Sequence, residues 1–302
     1  MFIEQAYSSN FKFSRYIPFS AFFISIILLN LAAIIYYNID QNAVMQQEIE
    51  QSGEMPVFVQ TVGPMGIFLL MLLGYVMLVH HQSVRSLTTS RSSVDWKRIF
   101  TSFFIWGTFN AVTIFASYYA SPESFVLNFH LKPFLILTAI SVVLLPMQTS
   151  FEEYFFRGYL MQGIGIATRS RLVPFIVTSV MFGLMHIANP EVAAMGPLVL
   201  LYYIGTGFFL GIITLMDEGL ELSLGFHAAN NLVACLLLTS DYSAIQTPSV
   251  FKDVTAPSAG IDVLLPVLVL YPILLFIFSR IYKWNNWKQR LTGKIVLPEV
   301  PA

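Results

Sequence analysis

The sequence predicts an all-α fold, a membrane helix bundle of about eight transmembrane helices with both termini in the cytoplasm. The prediction rests on a low content of charged residues, on a series of long apolar segments and on an uneven distribution of basic residues. Of the 302 residues, 56% are hydrophobic and 11% are charged, and the mean hydropathy is +0.69. A soluble globular domain contains roughly 25% charged residues. The composition therefore excludes an ordinary soluble domain and indicates a surface that mostly faces lipid.

The apolar segments give the number of helices. A transmembrane helix needs about 20 mostly apolar residues, and open strand edges would leave backbone groups unsatisfied in lipid. Helices are therefore predicted over residues 18–38, 64–81, 99–119, 131 to beyond 146, 172–187, 197–216, 222–239 and 261–282. The two longest connections, 39–63 and 240–260, are polar and are predicted to be surface loops. We expect a single membrane domain over residues 1–302.

The basic residues predict the orientation, because cytoplasmic connections of membrane proteins are enriched in Lys and Arg. With a cytoplasmic N-terminus, all 16 basic residues except Lys132 and Lys252 fall on the inner side. No organelle-retention signal ends the chain, so we expect a multi-pass protein of a prokaryotic plasma membrane. No basic and aromatic cluster indicates nucleic-acid binding. We expect the lipid bilayer to be the main partner of the protein surface. The sequence does not indicate an oligomeric state.

Two adjacent carboxylates stand out in the fourth apolar segment. Glu152 and Glu153 lie between aromatic residues, and Arg157 follows within the same stretch. An ionisable group inside a membrane costs at least ~2.5 kcal/mol to insert, so it indicates a functional site. On a helix Glu153 and Arg157 share a face and can pair, whereas Glu152 points elsewhere. The alternative is a solvated charge pair in a turn at the end of the helix.

Further polar residues occur in two later apolar segments. His186 lies in the stretch Phe-Gly-Leu-Met-His, and a histidine there is also compatible with simple packing. His227 and Asn231 are spaced so that they share one face of a helix, and the small residues between them leave room for a neighbour. Since lipid excludes polar groups, a bundle would gather these side chains with Glu152 at one centre.

The three stretches together resemble a known family. Glu-Glu-x-x-x-Arg, Phe-x-x-x-His and His-x-x-x-Asn, in this order, resemble the motifs of the CAAX protease and bacteriocin-processing (CPBP, or ABI) family, which includes the type II CAAX prenyl endopeptidase. The core with these motifs covers residues 131–239, and none of the motif positions departs from the family pattern.

The resemblance implies an intramembrane glutamic endopeptidase that acts on a membrane-embedded or prenylated peptide without a metal or other cofactor. By motif position, Glu152 is the catalytic glutamate and His186 its partner in activating water. His227 and Asn231 are implied to stabilise the oxyanion. Glu153 and Arg157 are implied to support and orient the site. General bases and oxyanion donors of these types suit peptide hydrolysis.

Three alternatives remain open at this point. Two histidines and a glutamate are possible zinc ligands, and a zinc site would make the protein a metallopeptidase. The sequence, however, has no His-Glu-x-x-His motif. Intramembrane carboxylates and histidines also form proton relays, as in a proton-coupled transporter. The third alternative is a non-catalytic scaffold or immunity protein of the same family.

The predicted segments place the two key residues at different depths. Glu152 lies near the cytoplasmic end of the fourth segment, whereas His186 lies ~21 Å along the fifth, at ~1.5 Å per residue. One solution is a fourth helix that continues through the motif to about Gly163. The other is that the chain after Asn189 dips back into the bundle. We favour the long fourth helix.

Overall fold

The computed structural model of the protein describes residues 1–8 and 11–297, and these form a helical bundle. The helices are α1 (Ile17–Tyr36), α2 (Gln41–Ser52), α3 (Glu54–Val79), α4 (Val84–Thr88), α5 (Trp96–Ala120), α6 (Leu131–Glu153), α7 (Met161–Thr168), α8 (Leu172–Leu184), α9 (Pro190–Met195), α10 (Leu198–Asp217), α11 (Glu221–Leu237), α12 (Tyr271–Ile281) and α13 (Trp287–Thr292). Short 3₁₀ turns and two π-helical segments, Tyr154–Leu160 and Pro266–Leu270, complete the helical structure.

Within the described residues, five helical segments are long and apolar enough to cross a membrane. They are Phe13–Tyr36, Glu54–Val79, Trp96–Ala120, Leu131–Thr168 and Leu198–Asp217. The other three predicted segments are also helical but shorter: α11 has 17 residues, and Leu172–Ala188 and Pro266–Ile281 are short apolar helices. The predicted all-α membrane architecture is therefore confirmed, whereas eight crossings and cytoplasmic termini stay predictions.

The connection after α1 differs from the prediction of a surface loop. It contains α2, which begins where the side chain of Asp40 accepts a hydrogen bond from the amide of Ala43 at 3.1 Å. A side-chain acceptor of this kind satisfies one of the unpaired amides at a helix start. Helix α3 then begins at Glu54 and includes Pro64 in its interior. The sequence predicts that this helix begins at Pro64, and that start is wrong by ten residues.

A small three-stranded sheet connects the region before α6 with the end of α11, the helices that contain Glu152 and His227. Its strands are β1 (Phe125–Leu127), β2 (Leu238–Ser240) and β3 (Phe251–Asp253), in the order β1-β3-β2. Strand β3 pairs antiparallel with β1, shortly before α6, and parallel with β2, directly after α11. The connection over 240–260 is thus partly ordered by strand pairing, and the prediction of a simple loop there is wrong.

The fourth helix is unusually long. Helix α6, the π-helical segment Tyr154–Leu160 and α7 form a continuous helical rod of 38 residues, Leu131–Thr168. The expected continuation of the fourth helix through the motif to about Gly163 is confirmed. Glu152 and Glu153 lie inside this rod and are 5% and 0% exposed, so the interpretation as a solvated turn at a helix end is wrong. The π-helical segment begins directly after Glu153, and such segments frequently occur at functional sites.

Close helix contacts fix the positions of the motif helices. Helix α11 packs against α5 and α6, and α10 packs against α8. Gly183 lies so close to α10 that a Cβ atom would be 2.6 Å from the amide nitrogen of Ile204. A Cβ atom on Gly207 would collide with the carbonyl oxygen of Ser179 on α8. Small residues at both positions let the two backbones approach.

Candidate active site

A cavity of about 380 Å³ lies between α3, α6, α8, α10 and α11. The four residues that the sequence predicts as catalytic all line it: Glu152, His186, His227 and Asn231. Its wall also contains apolar side chains, among them Val62, Met65, Phe182 and Met185. The structure therefore brings polar groups from three different motifs to one partly apolar cavity.

Glu152 has one occupied and one open carboxylate oxygen. Its Oε1 atom accepts a short hydrogen bond from Nε2 of Gln148, which lies on the preceding turn of α6. Among the described residues, its Oε2 atom has no hydrogen-bond partner although it is buried. Nε2 of His227 lies 3.8 Å from Oε2. Buried carboxylate oxygens are normally hydrogen-bonded, so an open oxygen beside the cavity is available to a water molecule.

Glu153 and Arg157, predicted as supporting residues, lie behind the cavity and are completely buried. Nη1 of Arg157 donates to Oε1 of Glu153 at 3.1 Å, and Nη2 donates to the carbonyl oxygen of Gly207 at 3.2 Å. Nδ1 of His227 lies 2.8 Å from the same Oε1 atom of Glu153. Because an ionised carboxylate only accepts hydrogen bonds, Nδ1 of His227 carries the proton. The pair thereby fixes the orientation of the His227 ring.

His186 is held by its own helix and by α10. Nδ1 lies 2.8 Å from the carbonyl oxygen of Phe182, so this nitrogen is the donor. In the neutral ring Nε2 is then unprotonated and is able to accept a proton. The ring stacks on Tyr203 with centroids 4.1 Å apart and planes at 16°. The guanidinium carbon of Arg157 lies 4.2 Å from the centroid of Phe182, so the buried arginine also supports the residue that positions His186.

Asn231 lies one turn after His227 on α11. Its Nδ2 atom donates to Oε1 of Gln148 at 2.9 Å, which leaves one of its two amide hydrogens unused by this contact. Sequence reasoning missed Gln148, which connects Asn231 to Glu152. Its position four residues before Glu152 was the available signal, since such residues are neighbours on a helix.

A second carboxylate, Glu191 on α9, lines the cavity away from Glu152. Oη of Tyr203 donates to its Oε1 atom at 3.2 Å. Burial raises the pKa of Glu191 above its ordinary value. Within residues 1–8 and 11–297, no group of three or more His, Cys, Asp or Glu side chains is arranged to hold a metal ion.

Comparison with known proteins agrees with the three motifs. Residues 128–233 match the family described as type II CAAX prenyl endopeptidase Rce1-like. The chain is also 33% identical over 171 residues to the uncharacterized protein YyaK of Bacillus subtilis (strain 168). That alignment covers 55% of this chain and 56% of YyaK, so it spans little more than half of the relative. No solved structure matches the chain significantly.

The family match includes the three motifs and, of the helices that line the cavity, α6, α8, α10 and most of α11, but not α3. Its limits enclose Glu152, His186, His227 and Asn231. The resemblance that the motifs predict is thereby confirmed, and the Rce1-like family is a protease family. Residues 128–233 of this membrane protein are therefore similar to the Rce1-like type II CAAX prenyl endopeptidases.

Proposed function

We propose that the protein is an intramembrane glutamic endopeptidase that hydrolyses a peptide bond of a membrane-embedded or prenylated peptide. The observation that carries the proposal is the convergence of Glu152, His186, His227 and Asn231 on one cavity. Burial of ionisable groups is costly, and their convergence on a common space favours a chemical role over packing.

The proposed reaction begins with a water molecule bound at the open Oε2 atom of Glu152. Glu152 removes a proton from this water while the water oxygen attacks the carbonyl carbon of the peptide bond. His186 helps to hold the water through its unprotonated Nε2 atom. When the tetrahedral intermediate collapses, Glu152 returns the proton to the leaving nitrogen, and the carbon–nitrogen bond breaks. A general acid–base of this kind contributes about 10²–10⁴-fold to a rate.

His227 and the second amide hydrogen of Asn231 are the proposed donors to the oxyanion. Because Nδ1 of His227 already donates to Glu153, its Nε2 atom donates only when the ring is an imidazolium. Two carboxylates flank the ring, Glu153 at 2.8 Å and Glu152 at 3.8 Å, and both would attract an imidazolium formed in the reaction. Glu153 and Arg157 thus act as supporting residues that orient His227.

The proposed substrate enters this partly apolar cavity between the helices. The Rce1-like family acts on prenylated peptides in membranes, and such a peptide carries its own lipid anchor. We propose that residues 131–239 form the catalytic core of a single membrane domain over residues 1–302. The proposed setting is eight transmembrane helices with cytoplasmic termini in a prokaryotic plasma membrane, without nucleic acid as a partner and without a resident metal or cofactor.

The test uses purified protein in proteoliposomes and two internally quenched peptides ending in Cys-aliphatic-aliphatic-X, one farnesylated and one not. Wild type is expected to cleave at least the farnesylated peptide at a single bond identified by mass spectrometry. The variants Glu152→Ala, His186→Ala and His227→Ala are expected to lose this cleavage while they remain folded by size-exclusion chromatography. Cleavage by all three variants at the wild-type rate contradicts the proposal.

Two further arms separate the alternatives. Cleavage is expected to persist in the presence of a zinc chelator; its loss, restored by added zinc and not by buffer alone, would instead indicate a metallopeptidase. Proton-coupled uptake by the same proteoliposomes that survives Glu152→Gln would favour a transporter. Absence of both activities would favour the scaffold or immunity protein.

A further inference from the structure

Five side chains form a continuous series of hydrogen bonds that ends at Glu152. Two of them, Glu152 and Asn231, are predicted catalytic residues, and the other three are not. Nε1 of Trp106 donates to Oδ1 of Asn230 at 3.0 Å. Nδ2 of Asn230 donates to Oδ1 of Asn231 at 3.1 Å. Asn231 donates to Gln148 at 2.9 Å, and Gln148 donates to Oε1 of Glu152. We propose that this series, the Trp106 relay, positions the catalytic carboxylate, with Trp106, Asn230 and Gln148 as positioning residues.

The two ends of the relay fix its direction. An indole nitrogen only donates hydrogen bonds, and an ionised carboxylate only accepts them. With Trp106 at one end and Glu152 at the other, each amide between them must accept through its oxygen and donate through its nitrogen. The amide groups of Asn230, Asn231 and Gln148 therefore have one orientation that satisfies all contacts.

This direction has a consequence for the reacting groups. It occupies Oε1 of Glu152 and leaves Oε2 open. The direction of the relay also turns the amide nitrogen of Asn231, and not the amide oxygen, towards Gln148 and the side of the cavity where Glu152 lies. An asparagine with the opposite orientation would present an acceptor where negative charge develops. The inference rests on the proposed function, since it explains how the proposed base and oxyanion donor are held in the required state.

Trp106 belongs to a helix without a motif and acts from a distance. It lies on α5, is 3% exposed and does not line the cavity. Its ring stacks on Phe226 at 4.7 Å and 27°, which holds the indole in place. The relay thus connects α5, α11 and α6, and an effect of Trp106 on catalysis would have to pass through the amides.

The kinetic test uses Trp106→Phe, which retains an aromatic ring on Phe226 and removes only the indole donor. We expect kcat for the cleaved peptide to fall about tenfold, because a hydrogen-bonded network ending on a charge is lost, while KM stays within twofold. The matched control is Trp284→Phe, whose indole donates to Asp217 at 3.2 Å outside the cavity. Its kcat is expected to stay within twofold of wild type.

A double variant tests whether the effect passes through the relay. Gln148→Met keeps the length of the side chain and removes its hydrogen bonds. If Trp106 acts through Gln148, the variant Trp106→Phe/Gln148→Met has the same kcat as Gln148→Met alone. Multiplication of the two single effects overturns the proposal. Should Trp106→Phe not fold, Asn230→Asp replaces it, because an ionised aspartate still accepts from Trp106 but has no hydrogen to donate to Asn231.

A second readout does not need a substrate. In protein labelled with ¹⁵N-tryptophan, the indole resonance of Trp106 is identified by its absence in Trp106→Phe. Gln148→Met is expected to shift this resonance. Gln162→Met, which changes another buried glutamine of the same helical rod that bonds to Phe2 and Ser86, is expected to leave it in place. An unchanged Trp106 resonance in Gln148→Met overturns the relay.

The two readouts separate the relay from the proposed function. If no peptide is cleaved but the resonance shifts as expected, the relay stands and the peptidase proposal fails. If wild type cleaves and Glu152→Ala does not, while Trp106→Phe has the kcat of wild type, the peptidase proposal stands and the relay fails.

Discussion

Oε1 of Glu153 accepts hydrogen bonds from both Nδ1 of His227 at 2.8 Å and Nη1 of Arg157 at 3.1 Å. This one oxygen therefore links the buried ion pair on the long helical rod to the histidine that lines the cavity. Glu153 itself does not line the cavity. Its direct contact with the cavity residues is His227, and a buried carboxylate orients a catalytic histidine in this way elsewhere.

Glu153→Gln tests this link. A glutamine still offers an oxygen to Nδ1 of His227, but it no longer stabilises a positive charge on the ring. We expect kcat to fall about 10²-fold, within the range for acid–base and charge effects in active sites, with KM little changed. Steady-state cleavage of the peptide that wild type accepts provides the measurement. A kcat within twofold of wild type would contradict the proposed role of the ring charge.

Arg157→Met tests the ion pair itself. The substitution leaves the Glu153 carboxylate completely buried without its cation, which costs about 3–5 kcal/mol of folding free energy. The free energy of unfolding in detergent micelles measures this cost. The double variant Glu153→Leu/Arg157→Met removes both charges and is expected to be more stable than Arg157→Met alone. Equal stability of Arg157→Met and wild type would show that the pair contributes little.

Gly207→Ala tests the close contact of α8 and α10. A Cβ atom there would collide with the carbonyl of Ser179, and the Gly207 carbonyl also accepts from Arg157. We expect a loss of about 1–3 kcal/mol, the usual cost of overpacking, together with reduced cleavage. Gly74→Ala on α3 is the matched control, because its Cβ atom would meet no atom within 4 Å. Equal stability of the two alanine variants would show that the close contact at Gly207 does not constrain the packing of α8 and α10.

The raised pKa of Glu191 predicts that the stability of the protein depends on pH. Burial raises its pKa in the folded protein, whereas in the unfolded chain a glutamate titrates near ~4.3. The folded state therefore binds the proton more tightly, and the resulting stabilisation is complete below about pH 4.3 and is lost as the pH rises through the raised pKa. Relative to Glu191→Gln, wild type should lose stability as the pH increases over this range. Parallel stability curves for the two proteins would contradict the effect of burial.

The sequence predicts the motif residues and the helical segments because both leave local signals. Lipid requires long apolar helices, and ionisable residues inside them are conspicuous. The need for Glu152 and His186 to meet at one depth even predicts the long fourth helix. The same reasoning fails for α2, because a polar helix beginning at Asp40 has no apolar periodicity to distinguish it from a loop.

The remaining parts of the site depend on contacts between distant segments. Trp106 lies on a helix without a motif, and its hydrogen bond to Asn230 joins residues 124 positions apart. The short strands β1 and β3 are likewise stabilised by each other, and neither has a strand pattern of its own. The π-helical turn after Glu153 has no sequence signature that separates it from an α-helix. Such features follow from the packing of the whole bundle.

In the proposed reaction, Glu152 removes the proton from the attacking water. The most direct test compares kcat and KM of Glu152→Gln with those of wild type, since glutamine keeps the shape of the side chain and removes the base. Glu221→Gln, a buried carboxylate of α11 that pairs with Arg91, controls for the loss of a buried charge. We predict that kcat of Glu152→Gln falls by at least about 10²-fold, with KM within a few-fold and Glu221→Gln active. A Glu152→Gln protein that cleaves within tenfold of the wild-type rate would contradict the account.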